Sequence, residues 1–339
     1  LRRAGMHCPR LDHFIRLNAD GTVGKCGHMV NARGFKSFKE LEQSNWIKEL
    51  KNLMSADQWP EECRRCQQSE LAKGESVRTN SIDRHRILYP KKEDYLIVGG
   101  VLDNICNSAC QSCNPILSTK IGGLESSKNY PRVDNYEVFQ ALPLDRVVEL
   151  DVNGGEPTAS KNYKKILSNL PKNTKIVRMN TNGSRMIKEI EDILKNGTMV
   201  IVTLSLDGVG RVHDYARWPI KWIDYVRTVD AYLSLREKYK LLQIDFWTTV
   251  SCLNVNNLQD ITKFAGDKDI PHDWAFLKTP RVLNVRYKNK LTTLAKNLHP
   301  DHIAIDEDNT THLVEFLSRQ DALRGIDHTD YLNLEEKDL

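Results

Sequence analysis

Eight cysteines are the residues of this chain best suited to chemistry, and they are unevenly spaced, at 8, 26, 63, 66, 106, 110, 113 and 252. Seven fall into two groups and one stands alone. The chain has 339 residues, and Leu1-Arg2-Arg3-Ala4-Gly5 leads into no apolar core, so no secretory signal is expected. In that setting, grouped cysteines point to metal or cluster ligation before disulfides. Cys106, Cys110 and Cys113 share one short loop. Three thiolates so placed can bind three irons of a cubane cluster and leave the fourth iron without a protein ligand; the same spacing serves a zinc knuckle completed by a distant His or Cys. Cys8, Cys26, Cys63 and Cys66 make a full set of four, suited to a closed iron–sulfur cluster or to structural zinc. His7, His13 and His28 flank that set, but with four thiolates present they read as packing or surface residues. Cys252 reads as a small buried hydrophobe.

The surrounding elements must position these groups. Phe14-Ile15-Arg16-Leu17 and Thr22-Val23-Gly24-Lys25 flank Asn18-Ala19-Asp20-Gly21, a hairpin pattern whose second strand Cys26 closes. Apolar Phe38, Leu41, Trp46, Ile47, Leu50, Leu53 and Met54 predict one helix over 37–54, with Ser37 as N-cap and Glu40 three residues on. That helix delivers the chain to Cys63 and Cys66. A polar stretch over 71–94 reads as a linker or connecting helix. Beyond it, short apolar runs near 95–102, 146–152, 174–180, 199–206, 244–251 and 273–277 alternate with amphipathic segments. The helical ones are Lys161 to Leu170, Met186 to Lys195, Ile220 to Lys240 and Asn256 to Ala265. The alternation predicts βαβ units on a parallel sheet of six strands. The tail carries one helical stretch, His312 to Leu323.

The three-cysteine loop follows the first of these strands, and Asn153-Gly154-Gly155-Glu156-Pro157 ends the second. Parallel α/β folds bind ligands where strands end at their carboxyl edge, so loop and turn are expected to line one mouth. Gly154 and Gly155 would let a ligand approach the backbone, and Glu156 would offer an acceptor for an ammonium group. The basic residues Lys278, Arg281, Arg286, Lys288 and Lys290 read as a solvated face, with phosphate contact as the sharper alternative.

With both motifs in view, the chain resembles the radical S-adenosylmethionine (SAM) superfamily through Cys106-x3-Cys110-x2-Cys113 and Gly154-Gly155-Glu156-Pro157. The resemblance implies a partial (β/α)6 TIM-like barrel over 95–290 with a C-terminal extension over 291–339. It implies a 4Fe-4S cluster on the three cysteines and SAM chelating the open iron. One-electron reduction then cleaves SAM to methionine and a 5′-deoxyadenosyl radical, which abstracts a substrate hydrogen. Asn180 and Thr181, in Met179-Asn180-Thr181-Asn182-Gly183, match the polar residues that the family places near the SAM ribose. Leu204-Ser205-Leu206-Asp207-Gly208 and His213-Asp214-Tyr215-Ala216-Arg217 are similar to the sulfatase-maturing branch, where the serine and arginine matching Ser205 and Arg217 hold the SAM carboxylate. Arg suits that partner because its planar fork donates two parallel hydrogen bonds. One departure stands out: Ser112 replaces the aromatic residue that family members carry before the third cysteine to pack by the adenine.

The N-terminal cysteines resemble the twitch and SPASM-type domains of these enzymes, here as an α+β unit over 1–70 placed before the barrel. That implies a second, auxiliary 4Fe-4S cluster on Cys8, Cys26, Cys63 and Cys66. The resemblance further implies a peptide, protein or sizeable-metabolite substrate and an electron donor such as a flavodoxin or ferredoxin. It also raises, for Cys252, the alternative of a hydrogen-atom donor to a substrate radical. Two other readings stay open: nucleotide-derived substrate chemistry, as in the molybdenum-cofactor cyclase branch, and a non-catalytic protein whose cysteines are zinc staples. Lys+Arg exceed Asp+Glu by 49 − 45 = 4, too mild a balance to demand nucleic acid. No apolar run approaches membrane-spanning length, and a cytoplasmic location is expected.

Overall fold

Eight strands carry the computed structural model, which describes residues 6–89, 94–126, 130–288 and 305–332. They are β1 Phe14–Leu17, β2 Val23–Gly24, β3 Leu96–Val101, β4 Val147–Asn153, β5 Ile176–Thr181, β6 Met199–Ser205, β7 Leu242–Val250 and β8 His272–Phe276. Their hydrogen-bonded order is β2-β1-β3-β4-β5-β6-β7-β8. Only β2 is seen running against its neighbour; β1 with β3, β3 with β4, β6 with β7 and β7 with β8 pair in parallel. The α/β class is therefore present, and β3 to β8 are the six strands expected from the apolar runs. No described helix is long and apolar enough to cross a membrane.

The chain divides into two compact units, the first made of 1–103, 133–154 and 168–178, the second of 104–132, 155–167 and 179–339. In the first unit β1 lies parallel to β3, with Phe14 opposite Ile97 and Leu17 opposite Gly100. Ile15 and Leu17 are fully buried. A two-stranded hairpin alone cannot bury such residues, and joining a larger sheet does so at about 1.5–3 kcal/mol per large side chain. Cys26 lies beyond the short β2 rather than closing it.

The predicted helix over 37–54 is two helices, Phe38–Gln43 and Asn45–Ser55. Ser44 makes the break: its hydroxyl donates to the Leu41 carbonyl at 2.8 Å and accepts from the Ile47 N–H at 3.3 Å. The stretch read as a linker holds the helices Arg64–Lys73 and Val77–Leu88, the latter opened by a capping box between Ser76 and Thr79. Its basic residues have a use. Arg84 pairs with Glu149, a fully buried carboxylate in the middle of β4 that also lies 3.4 Å from Arg178 and accepts from the Tyr89 hydroxyl at 3.2 Å.

In the second unit, β6, β7 and β8 align in register from Val200 opposite Leu242 to Val250 opposite Phe276. The helices Lys161–Ser168, Ile190–Lys195, Trp222–Lys238 and Leu258–Asp267 match the amphipathic segments to within a few residues. Thr310–Arg324 is the tail helix. Cys252 packs with Tyr215, Val250, Leu253 and Leu283, and burial pushes its thiol up to about 12. Of the basic stretch near 278–290, Arg281 pairs with Glu307 and lies over the Tyr287 ring, while Lys290 and the Lys288 side chain fall outside the described residues.

Asn135 gives the first unit a testable joint. Its buried amide nitrogen donates to Asn18 O at 2.8 Å and to Val101 O at 2.6 Å, tying the β1–β2 turn to the end of β3. Replacing it by Ala removes both bonds, and Asn18 O keeps only the Gly21 N–H at 3.2 Å. The expected loss is about 2 kcal/mol, read as a lower urea midpoint with unchanged slope.

Candidate functional site

The three-cysteine loop is held from several sides within the second unit. Ala109 N donates to Trp218 O at 2.8 Å and Gln111 N to Ala216 O at 3.0 Å, so the loop is laced to the segment carrying Arg217. Both Arg324 Nε and Nη2 donate to Ala109 O, at 3.1 and 2.9 Å. Ser118 Oγ donates to Ser108 O at 2.8 Å, and Thr119 Oγ1 accepts from Cys106 N at 3.1 Å. The Ser108 hydroxyl sits between two sulfurs, 3.4 Å from Cys106 Sγ and 3.6 Å from Cys110 Sγ. Burial, with Cys110 beside it, pushes the Cys113 thiol up to about 12, and the same causes raise Cys106. Such thiols ionise when a cation takes their charge.

Glu156 is the hub of the neighbouring turns. It is fully buried, and its Oε1 accepts from Thr158 N at 3.1 Å, Thr158 Oγ1 at 2.8 Å and Thr181 Oγ1 at 2.8 Å. Its Oε2 accepts from Asn182 N at 2.7 Å. Burial raises its pKa, against the pull of these donors. A carboxylate has about four acceptor sites, and four donors of the chain meet this one. Asn182 carries the tie onward, its amide nitrogen donating to Asn107 Oδ1 at 2.8 Å and Ser108 Oγ at 3.1 Å. The serine placed between the two sulfurs is thus linked to Glu156 through one residue.

The glycines before Glu156 permit close approach of other backbone segments. Gly154 has φ +134°, and a side chain there would strike the Asp103 carbonyl. In the second unit a side chain on Gly155 would strike Ile105 O, the same carbonyl that accepts from Glu156 N at 2.7 Å.

Of the other expected residues, Thr181 is buried on Glu156, Asn180 is exposed, and Ser205 is half-buried at the end of β6. The Arg217 side chain is 11% exposed, and its Nη1 donates to Asp207 Oδ2 at 2.9 Å. Asp207 is fixed in turn by Thr249 N at 2.8 Å, and Arg217 Nε has no partner. His213 packs against Trp222 and Tyr225, with ring centroids 5.3 and 4.5 Å away. Burial, reinforced by Arg217, lowers its pKa to about 3.

Sequence reasoning missed Gln111. It is buried with neither amide atom partnered, and with Ser112, Cys113, Phe316, Arg319 and Arg324 it lines a cavity of about 270 Å³. Its place between two cysteines was the only signal. In the first unit, Cys8, Cys26, Cys63 and Cys66 all border one small cavity of about 20 Å³ with Met29, Met54 and Trp59. Burial and the neighbouring sulfurs push Cys8 up to about 11 and Cys63 to about 12.

The donor spacing bears on which metal group fits. Among the described residues, the only three ligand atoms all within 4.8 Å of one another belong to Asp321, Asp327 and His328. No three cysteine sulfurs come so close. A single tetrahedral zinc, at about 2.3 Å from each sulfur, draws its thiolates nearer than that, whereas a polynuclear cluster holds them farther apart. Both cysteine sets consist of free thiols alone, a donor set that fits an iron–sulfur cluster and a zinc ion alike.

No protein-family model matches the chain, and no curated protein sequence matches it. Solved structures similar in fold include native anSMEcpe with bound AdoMet, at 16% identity and TM-score 0.43, covering 68% of this chain and 63% of that one. The anSMEcpe complex with AdoMet and the Kp18Cys peptide is 18% identical, with TM-score 0.40, covering 68% and 62%. SuiB of Streptococcus suis bound to S-adenosylmethionine is 11% identical, with TM-score 0.42, covering 96% and 75%. This chain thus spans less than two thirds of the anSMEcpe chains. None of these scores reaches 0.5, and the functional reading rests on the residues of this chain.

Two substitutions probe the site. Glu156→Gln sets an amide group against donors that require an acceptor, and a stability loss of about 1–3 kcal/mol is expected in urea titration. Since the folded protein holds His213 neutral down to about pH 3, its contribution is full above the unfolded value near 6.5 and is lost as pH falls. His213→Phe should abolish a loss of about 2 kcal/mol between pH 7.5 and 5, measured as the difference between wild-type and variant unfolding curves.

Proposed function

We propose that this protein is a radical SAM enzyme. The observation that carries the reading is the loop of Cys106, Cys110 and Cys113, braced by Ser108, Asn182 and Arg324, with Cys113 on the wall of a polar cavity. When bound, a 4Fe-4S cluster with one open iron supplies reductive cleavage of SAM, and the 5′-deoxyadenosyl fragment takes a hydrogen atom from the substrate. The three cysteines hold the cluster, and Ser108 tempers the charge on two of their sulfurs. Glu156 and Thr181 fix the turns against which SAM is bound, while Gly155 lets the loop stem close on Glu156. Asn180 and Ser205 stand at the ends of β5 and β6 as contacts for the cosubstrate. Arg217 is aimed by Asp207 and keeps an unspent Nε for a carboxylate.

Cys8, Cys26, Cys63 and Cys66 hold a second 4Fe-4S cluster with no vacant iron in the twitch-like N-terminal unit. The substrate is a peptide, a protein or a sizeable metabolite, and reduction comes from a flavodoxin or ferredoxin. The peptide preference follows from the likeness of the 204–217 segment to the sulfatase-maturing branch, which is analogy of sequence rather than of site chemistry.

Oxygen-free protein should contain about eight iron and eight sulfide per chain. Cys106→Ala with Cys110→Ala should remove about half of each, and Cys8→Ala with Cys63→Ala the other half. With dithionite and SAM, the wild type should release 5′-deoxyadenosine and the Cys106/Cys110 variant none. Zinc in place of iron, or no 5′-deoxyadenosine from iron-replete protein, would overturn the proposal.

A further inference from the structure

The sheet face that carries Ser205 leaves an aromatic ring and a carboxylate uncovered. Burial alternates along β7: Leu242, Ile244, Phe246, Thr248 and Val250 are buried, while Gln243 and Trp247 are exposed. The buried set meets the helices, with the Phe246 ring 5.8 Å from that of Phe264 in the helix Leu258–Asp267. The other set faces away from them. Register carries that face across three strands, since Ser205 lies opposite Trp247 and Trp247 opposite Asp273. Residues paired in register point the same way, and neighbouring strands run about 4.8 Å apart.

Trp247 is out of place on such a face. Strand β7 is flanked by β6 and β8, yet Trp247 is 41% exposed. Among the described residues its ring stacks on no other ring and its indole N–H meets no acceptor. Asp273 is exposed beside it and, among the described residues, pairs with no cation. The adjacent His272 turns to the opposite face, where its Nε2 lies 2.8 Å from Thr248 Oγ1. Asp245 joins Trp247 on the same face two residues earlier. The residues of this face on β6, β7 and β8, the odd-numbered ones, include these two carboxylates and no lysine or arginine. An exposed large aromatic is an informative exception to burial, and an indole face beside carboxylates attracts a cation.

We propose that Trp247 and Asp273 bind an arginine side chain of a peptide substrate, its guanidinium laid on the indole and forked onto the Asp273 carboxylate. A guanidinium suits both partners, because it stacks flat on an aromatic ring and donates two parallel hydrogen bonds to a carboxylate. That the occupant is a substrate rests on the radical SAM reading, in which Ser205, one strand away, contacts the cosubstrate.

The test is titration calorimetry on the full-length, iron-loaded protein without oxygen, using acetyl-Gly-Gly-Arg-Gly-Gly-amide and the same peptide with citrulline, the neutral isostere of arginine. The arginine peptide is expected to bind at least about fivefold more tightly than the citrulline peptide. Asp273→Asn should bring the two to equal affinity. Trp247→Leu should weaken the arginine peptide at least about threefold, with Trp247→Tyr keeping most of its binding. Asp273 is exposed and its variant isosteric, so Asp273→Asn decides the matter if Trp247→Leu fails to fold. Equal affinity of the wild type for the two peptides, a preference that survives Asp273→Asn, or tighter binding of ethylguanidinium than of the arginine peptide would overturn the proposal. The titration contains no SAM, so its failure leaves 5′-deoxyadenosine release untouched, and a failure of that release leaves the charge preference to be read by itself.

Discussion

A single buried carboxylate sets the geometry of the second unit's site. Glu156 is out of reach of water, and a charge there survives only because four donors from Thr158, Thr181 and Asn182 surround it. Those donors belong to the turn after β4 and the end of β5, so satisfying the charge fixes one against the other. Asn182 then passes the constraint to Ser108, whose hydroxyl touches the sulfurs of Cys106 and Cys110. A partly satisfied network of this kind would cost more than an apolar core, which makes its geometry close to all-or-none.

Close backbone approach is the second requirement, and it explains why a glycine precedes Glu156. Gly155 has no side chain because Ile105 O fills that space, and the same oxygen accepts the Glu156 N–H. The glycine, the carboxylate and the cysteine loop's stem are thus one device. Arg324 completes it from the tail helix, with two donors on Ala109 O inside the cysteine loop.

Much of the scaffold was legible because its signals are local. Runs such as Val200-Ile201-Val202 can only be strands fully covered on both faces, and all six expected strands formed. The Ser44 break was not legible, since the apolar period continues across it and only the hydroxyl's two hydrogen bonds reveal the stop. The use of the polar 71–94 stretch was hidden for another reason: Arg84 finds Glu149 at a separation of 65 residues, and nothing near either residue announces the other. At the site, the motif residues could be named from sequence but not their partners. The four donors around Glu156 could not be placed, and Arg324 meets Ala109 across 215 residues.

The two cysteine sets differ in what surrounds them, and that difference argues for different duties. Four sulfurs border the first unit's cavity among methionines, a tryptophan and the stem of Arg10, a setting that favours a closed, shielded group. Three sulfurs serve the second, and there Cys113 shares its cavity with Gln111, whose buried amide has no partner, and with Arg319. Polar atoms left unsatisfied in a folded chain cost about 1–3 kcal/mol each, and active sites are where such costs are tolerated. The unspent Nε of Arg217 belongs to the same account.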